Sequence, residues 1–333
     1  MRVLVTGGAG YVGSVSVERL LEADHEVVIL DDLTTGHRES VPPTASLEVG
    51  SYGDPDTIAR LLERARVDAI LHCAARSLVG ESVADPARYY RENVAGGITL
   101  IEAARQAGVG RIVFSSTAAV YGVPDRTPIP EDAPLRPINP YGETKRTFEG
   151  ALRFYGEAYG LRSVSLRYFN VAGATERNGE LHDPETHLIP TILRAVETGR
   201  PITVFGADYP TPDGTCIRDY IHVADLADAH LAALEATAPD DPRTAAALVC
   251  NLGIGTGFSV REVIDAAAAI VGRPIPEAAG PRRAGDPPIL VAAPDRARAV
   301  LGWTAARPTL AEMIGSAWAW RRTHLDATGG RRG

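Results

Sequence analysis

The sequence predicts an α/β fold: a doubly wound parallel sheet, followed by a smaller, discontinuous C-terminal lobe. Three observations predict it. Short apolar strands alternate with helical patterns from the N-terminus to Ala172, a glycine-rich loop separates the first strand from the first helix, and the alternation fails after Ala174. With 333 residues, 45% of them hydrophobic, the chain can bury the core of one large domain or two.

Arg2–Thr6 reads as a buried strand running into Gly7-Gly8-Ala9-Gly10-Tyr11-Val12-Gly13, then a helix to about Ala23. A G-x-x-G-x-x-G alone says little. Between a strand and a helix it lets backbone amides and the helix dipole hold a pyrophosphate. Val27–Leu30 is the second strand and Asp31 ends it, where a carboxylate accepts the ribose hydroxyls of an adenosine and repels a 2′-phosphate. A Rossmann-type dinucleotide site follows from the two together.

Further strands are expected at Leu47–Val49, Ala69–Cys73 and Arg111–Ser116, with helices at 55–65 and 84–107. Ligands sit at the carboxyl ends of such strands, where His72-Cys73-Ala74-Ala75 and Ser115-Ser116-Thr117 fall. Asn139-Pro140-Tyr141-Gly142-Glu143-Thr144-Lys145 opens a helix reaching 159, with Asn139 as cap and Pro140 as first residue. Tyr141 and Lys145 are four apart on one face, and the ammonium is expected to lower the phenol pKa and make it a proton acceptor. Thr117 and Tyr141 are placed to converge on one substrate hydroxyl.

Leu161–Leu166 is a strand ending in Arg167-Tyr168-Phe169-Asn170. Helices follow near 188–199, after Val223 and at 259–271, with a strand at Val249–Leu252. Residues 1–172 are read as the dinucleotide-binding domain and 173–333 as mainly a substrate domain, with about 216–255 returning to the first. Pro281-Arg282-Arg283-Ala284-Gly285-Asp286 is a basic loop suited to phosphate or carboxylate.

The net charge of -8 argues against nucleic acid and anionic membrane as partners. Arg321, Arg322, Arg331 and Arg332 are read as a solvated helix end and tail. Cys73, Cys216 and Cys250 are odd in number and no C-x-x-C occurs, so neither a disulfide framework nor a zinc site is expected, and no residue is assigned to a metal. The run Val3–Val5 is too short for a signal peptide and no stretch approaches a membrane span, so a cytoplasmic location is expected. Apolar residues at Tyr89, Leu100, Ile101 and Ala104, and at Phe148, Leu152 and Tyr155, exceed what one core absorbs. They point to an isologous homodimer.

With the glycine loop, Asp31, Thr117, Tyr141 and Lys145, the chain resembles the extended short-chain dehydrogenase/reductase superfamily, and within it the UDP-glucose (UDP-galactose) 4-epimerase family. The likeness runs from Met1 to about Thr323. It is most specific at Val79–Ser82, Ser115–Gly122, Leu166–Asn170, Val204–Val223 and Pro281–Asp286. It implies NAD, held by Gly7, Gly10, Tyr11, Val12, Gly13, Asp31, Asp32, Ala74, Ala75, Asn93, Ser115, Tyr141, Lys145 and Tyr168. It implies a UDP-sugar against Thr117, Tyr141, Asn170, His187, Leu188, Phe205, Arg218, Tyr220, Arg283, Asp286 and Leu290, with Arg218 and Arg283 on the diphosphate. Tyr141, Lys145 and Thr117 would be catalytic, and helices at 84–107 and 141–159 would pair in a dimer.

Three positions depart from the family pattern. Ser51 and Ser77 stand where an adenine-contacting Asp and a pyrophosphate-binding Lys are usual, which weakens NAD retention, and His187 replaces an Asn that touches substrate. The implied reaction inverts a sugar C4 carbinol by transient oxidation to a 4-keto sugar, with hydride returned to the opposite face. An epimerase of another UDP-sugar, pentose or uronic acid, is the near alternative, and a non-catalytic dinucleotide sensor the distant one. Dehydration needs an acid after Thr117, where Ala118-Ala119 stand.

Overall fold

The structure, a computed structural model, describes residues 1–244, 247–283 and 286–324. Arg331 and Arg332 lie outside the described residues. Strands β1 (Arg2–Thr6), β2 (Glu26–Asp31), β3 (Ser46–Val49), β4 (Ala69–His72), β5 (Arg111–Thr117), β6 (Arg162–Tyr168) and a late strand, Leu248–Leu252, form one sheet. Every pairing in it is parallel, and its order places β1 between β2 and β4. Parallel strands covered on both faces need continuous apolar runs, and Val3, Leu4, Val5 and Ile70, Leu71 are fully buried.

On one face, α1 (Tyr11–Glu22) packs beside the helix Val223–Ala236 through Val17, Leu20, Leu226, Ala229 and Ala233. The other face carries α2 (Pro55–Ala65), whose start is capped by Asp54 accepting from the Asp56 amide at 3.1 Å. The expected helix at 84–107 is several pieces instead. α3 (Val79–Ala84) comes first; Asp85 then caps α4 (Pro86–Tyr89), because Pro86 has no N–H to extend the earlier helix. A π-helical turn at Tyr90–Ala95 leads into α5 (Gly96–Gln106).

α6 (Pro140–Tyr159) begins as its sequence predicts, with Asn139 Oδ1 accepting from the Gly142 amide at 2.9 Å. The apolar residues read as dimer surface are a correction. Tyr89, Leu100, Ile101, Ala104, Phe148 and Leu152 are all within 2% of full burial inside this one chain. All but Tyr89 join the core beneath Leu4, Ile70, Ile112 and Phe114, and Tyr155 packs on its edge. The sheet's own face absorbs them. The outer surface of these helices instead exposes Val83, Tyr90, Phe154 and Tyr159.

The chain leaves the main sheet through β7 (Asn170–Ala172), the smaller lobe takes up α7 (Leu188–Thr198) and β8 (Ile202–Phe205), and β9 (Ile217–Arg218) and β10 (Tyr220–His222) lead back. After α8 (Val223–Ala236), β11 (Leu248–Leu252) completes the main sheet against β6. β12 (Phe258–Ser259), α9 (Val260–Val271), β13 (Glu277–Gly280), β14 (Ile289–Leu290) and α10 (Leu310–His324) finish the lobe. Its core is Ile189, Ile192, Leu193, Val263, Ile264, Met313 and Ile314.

Asp219, wholly buried between β9 and β10, ties the lobe to the sheet. Its carboxylate accepts from the amides of Ile254 (2.8 Å), Gly255 (3.1 Å) and Ala292 (3.0 Å). Burial pushes its pKa up to about 6 despite those bonds. Arg321, at the end of α10, pairs with Glu197 at 2.6 Å.

Candidate active site

A cleft opens at the carboxyl ends of β1, β2, β3, β4 and β6, with about 950 Å³ of space that runs out into open solvent. Gly7, Gly10, Tyr11, Val12, Gly13, Asp31, Asp32, Ala74, Ala75, Tyr141, Lys145 and Tyr168 line it together.

The glycines are required sterically. Gly7 has φ +72° and a Cβ there would lie 2.6 Å from the Ala74 amide nitrogen. A Cβ on Gly13 would lie 2.0 Å from the Gly7 carbonyl oxygen. The turn is therefore as tight as backbone allows, and the start of α1 faces the cleft. Asp31 is fixed at the wall by two amides, Ala9 and Leu33, each at 2.9 Å. These features fit a dinucleotide with its pyrophosphate on the turn and a ribose at Asp31.

Two residues expected at the cofactor stand behind the cleft lining. Asn93 is buried, accepts from the Arg76 amide at 2.8 Å, and donates to the Arg76 carbonyl and the Thr144 hydroxyl. It holds the loop after β4 in place. Ser115 is fully buried; its carbonyl takes the Lys145 ammonium at 2.7 Å and its hydroxyl meets Cys73 and His230. Ser51 and Ser77 line the cleft. Arg76, beside Ser77, is engaged by Glu92 at 2.5 Å, and Glu92 also takes Arg88.

Tyr141 and Lys145 sit one turn apart on α6, as their spacing requires. Thr117, at the end of β5, stands close enough to the Tyr141 hydroxyl to favour its ionised form. The expected effect of Lys145 on Tyr141 is corrected. Burial pushes the phenol up, with Thr117 opposing. The ammonium lies 5.9 Å from the Tyr141 ring centroid and points to the Ser115 carbonyl and the Phe114 ring. Burial brings Lys145 itself down to about 8.

That shift carries a stability consequence. Lys145 is held below the ordinary lysine value of 10.5 in the folded chain, so above pH ~8 the unfolded chain binds more protons at this site. Stability contributed by this group therefore rises between pH ~8 and ~9.5. Urea melts of the ligand-free protein at those two pH values should show the rise in wild type relative to Lys145→Met; equal slopes in both would contradict it.

The residues expected at the substrate gather on the small lobe. Asn170 and Tyr220 are partners in the β7–β10 register. Arg218 pairs with Asp286, and Leu290 is its register partner on β14. The Arg283 guanidinium lies 4.1 Å over the Phe205 ring. Leu290 packs on the cluster of Ala118, Tyr121 and Phe169 beside Thr117. His187 stands at the N-cap position of α7 without a side-chain capping bond, its ring 3.0 Å from Glu185, and Leu188 packs into the lobe core.

Sequence reasoning missed several neighbours. Tyr52, Glu92 and His182 also line the cleft. Glu149, one further turn along α6 from Lys145, takes the Arg167 guanidinium and the Ser116 hydroxyl behind Thr117. The signal existed, since 141, 145 and 149 are successive i,i+4 positions, but its partner is supplied by a distant strand.

The chain matches the model of the NAD dependent epimerase/dehydratase family over residues 3–249. It belongs to that family. The UDP-glucose 4-epimerase of Streptomyces lividans is 50% identical, over 97% of each chain. The crystal structure of UDP-glucose 4-epimerase from Brucella ovis in complex with NAD is 44% identical, with TM-score 0.92 over 96% of this chain and 97% of that one. The enzyme from Bifidobacterium longum, in complex with NAD+ and UDP, is 34% identical with TM-score 0.92, over 98% and 99%.

Proposed function

We propose that the chain catalyses NAD-dependent 4-epimerisation of a UDP-hexose, interconverting UDP-glucose and UDP-galactose. The observation that carries this reading is the Thr117–Tyr141 hydroxyl pair at the end of β5, beside a dinucleotide cleft and with no acid after Thr117. Bound NAD supplies the redox chemistry at the sugar C4 carbon.

The chain's own residues do the rest. Tyr141 takes the proton of the 4-hydroxyl and returns it, and Thr117 holds the same oxygen. Lys145 orients the nicotinamide ribose. Arg218 and Arg283 grip the diphosphate, which requires the Arg218–Asp286 pair to be shared with the ligand. Holding only the nucleotide firmly leaves the sugar free to present either face. Residues 1–172 and about 216–255 form the cofactor half, and most of 173–333 the substrate half. Incubation with UDP-galactose and NAD should yield UDP-glucose; no product would reject the reading. A non-catalytic sensor would not need Tyr141 and Lys145 together.

Leu290 sets substrate breadth. In this reading it bounds the pocket near the sugar 2-substituent, next to Ala118 and Phe169. Leu is shorter than Tyr, and hydrophobic walls discriminate by only ~1–3 kcal/mol per methylene-sized change. UDP-N-acetylglucosamine should therefore turn over measurably, below UDP-galactose. Leu290→Tyr should remove the N-acetyl activity and spare UDP-galactose; a wild type inert towards the N-acetyl sugar at high enzyme concentration would overturn this.

We further assign the chain as a homodimer, paired through the outer faces of α3 and α6, where Val83, Phe154 and Tyr159 are 63%, 57% and 61% exposed. Light scattering should give twice the chain mass, and Phe154→Glu should shift it to the monomer mass; a monomeric wild type rejects the assignment. Its three free cysteines suit a reducing compartment, and we place it in the cytoplasm. No helix among the described residues is long and apolar enough to cross a membrane.

A further inference from the structure

Between β7 and α7 the chain runs past the mouth of the cofactor cleft, and there four side chains converge. Glu180, His182, Glu185 and His187 each bring a ligand atom within 4.8 Å of all the others. His182 also lines the cleft, and His187 stands at the N-cap position of α7. His187 Nδ1 is 3.0 Å from Glu185 Oε1 and 3.9 Å from Glu180 Oε2. The rings of His182 and His187 have centroids 5.5 Å apart.

The arrangement is not explained by hydrogen bonding alone. Glu180 is 8% exposed, and its Oε1 is buried without a hydrogen-bond partner. The nearby His182 Nδ1 is equally without one, although the two atoms are in contact. Two lone pairs brought together in this way, with two further donors around them, suit a shared cation. Two carboxylates in one partly buried cluster also call for positive charge nearby, which one divalent ion supplies.

We propose that Glu180, His182, Glu185 and His187 form a binding site for a divalent transition metal of the zinc type. Two imidazole nitrogens and two carboxylate oxygens make a four-donor set for zinc, whereas calcium takes six to eight oxygen ligands and magnesium prefers an octahedral, mostly oxygen shell. Donors at ~2.0–2.2 Å from a tetrahedral ion lie ~3.3–3.6 Å from one another. The 3.0 and 3.9 Å separations from His187 lie on either side of that spacing, and the closer His182–Glu180 contact has to open for both to ligate. Four protein donors leave no open position, so the ion is structural. It staples the segment 180–187 where His182 forms part of the cleft wall, and it requires no step of the proposed reaction.

The test uses the untagged full chain, stripped with a chelator and then dialysed against Zn2+ alone, with bound metal counted by mass spectrometry. Wild type should retain a single ion per chain, as should the control His25→Ala, whose side chain lies away from the cluster. His182→Ala and the near-isosteric Glu185→Gln should each lose it, with circular dichroism confirming the fold. Co2+ in place of Zn2+ should give tetrahedral visible bands in wild type that Glu185→Gln abolishes, which decides the matter if His182→Ala does not fold. No zinc retained by wild type, or retention unchanged in folded Glu185→Gln, would overturn the proposal.

Discussion

Tyr141→Phe should lower kcat by ~10²–10⁴-fold, the range typical of a general acid–base group, while UDP binding measured by calorimetry persists. The phenol, on α6, both stands by Thr117 and lines the cleft. Within the chain, burial outweighs the opposing effect of Thr117, which holds Tyr141 in its protonated form. Phe keeps the ring and its packing and removes only the hydroxyl, so a stable fold with lost turnover is the expected pattern. Near-normal turnover would exclude Tyr141 as the base.

The cofactor half was legible because its determinants are local. A strand, a glycine turn and a helix follow one another within Arg2–Glu22, and Asp31 ends the next strand. Asn139 and Pro140 mark the start of α6 so clearly that the Tyr141–Lys145 face follows from spacing alone. The dimer surface was misread for the opposite reason. Amphipathic spacing says that a helix has an apolar face, but not whether the chain's own sheet covers it, and Phe148 and Leu152 lie against that sheet.

Long-range polar partners were illegible for the same cause. Ser116, Tyr121, Glu149, Arg167 and Asn251 belong to different elements, and nothing in the spacing of such residues announces that they meet. The Glu180–His187 cluster is different. Its alternating carboxylates and imidazoles stand within eight residues, but a search framed around cysteine pairs passes over them. The two-residue strands β9, β12 and β14 are too short to carry a period, and only pairing defines them.

Glu149→Ala should destabilise the protein by ~3–5 kcal/mol, the usual cost of breaking a buried ion pair from one side. Glu149 and Arg167 are 8% and 4% exposed. Arg167 Nε donates to both Glu149 oxygens, at 2.9 and 3.2 Å, and its Nη1 donates to the Tyr121 hydroxyl at 2.9 Å. Tyr121 in turn donates to Asn251 on β11 at 2.7 Å, and the Ser116 hydroxyl donates to Glu149. Removing the carboxylate strands a guanidinium in the sheet's interior and unties α6 from β6, with Tyr141 two turns away on the same helix. Turnover should therefore fall with stability in the single variant. The paired change Glu149→Leu with Arg167→Met replaces both charges by apolar groups, so it should recover most of the loss in urea melts, since a missing pair costs less than a half-broken one. A double variant as unstable as the sum of both single ones would show that the two residues act independently, and that the pair does not clamp the catalytic helix to its sheet.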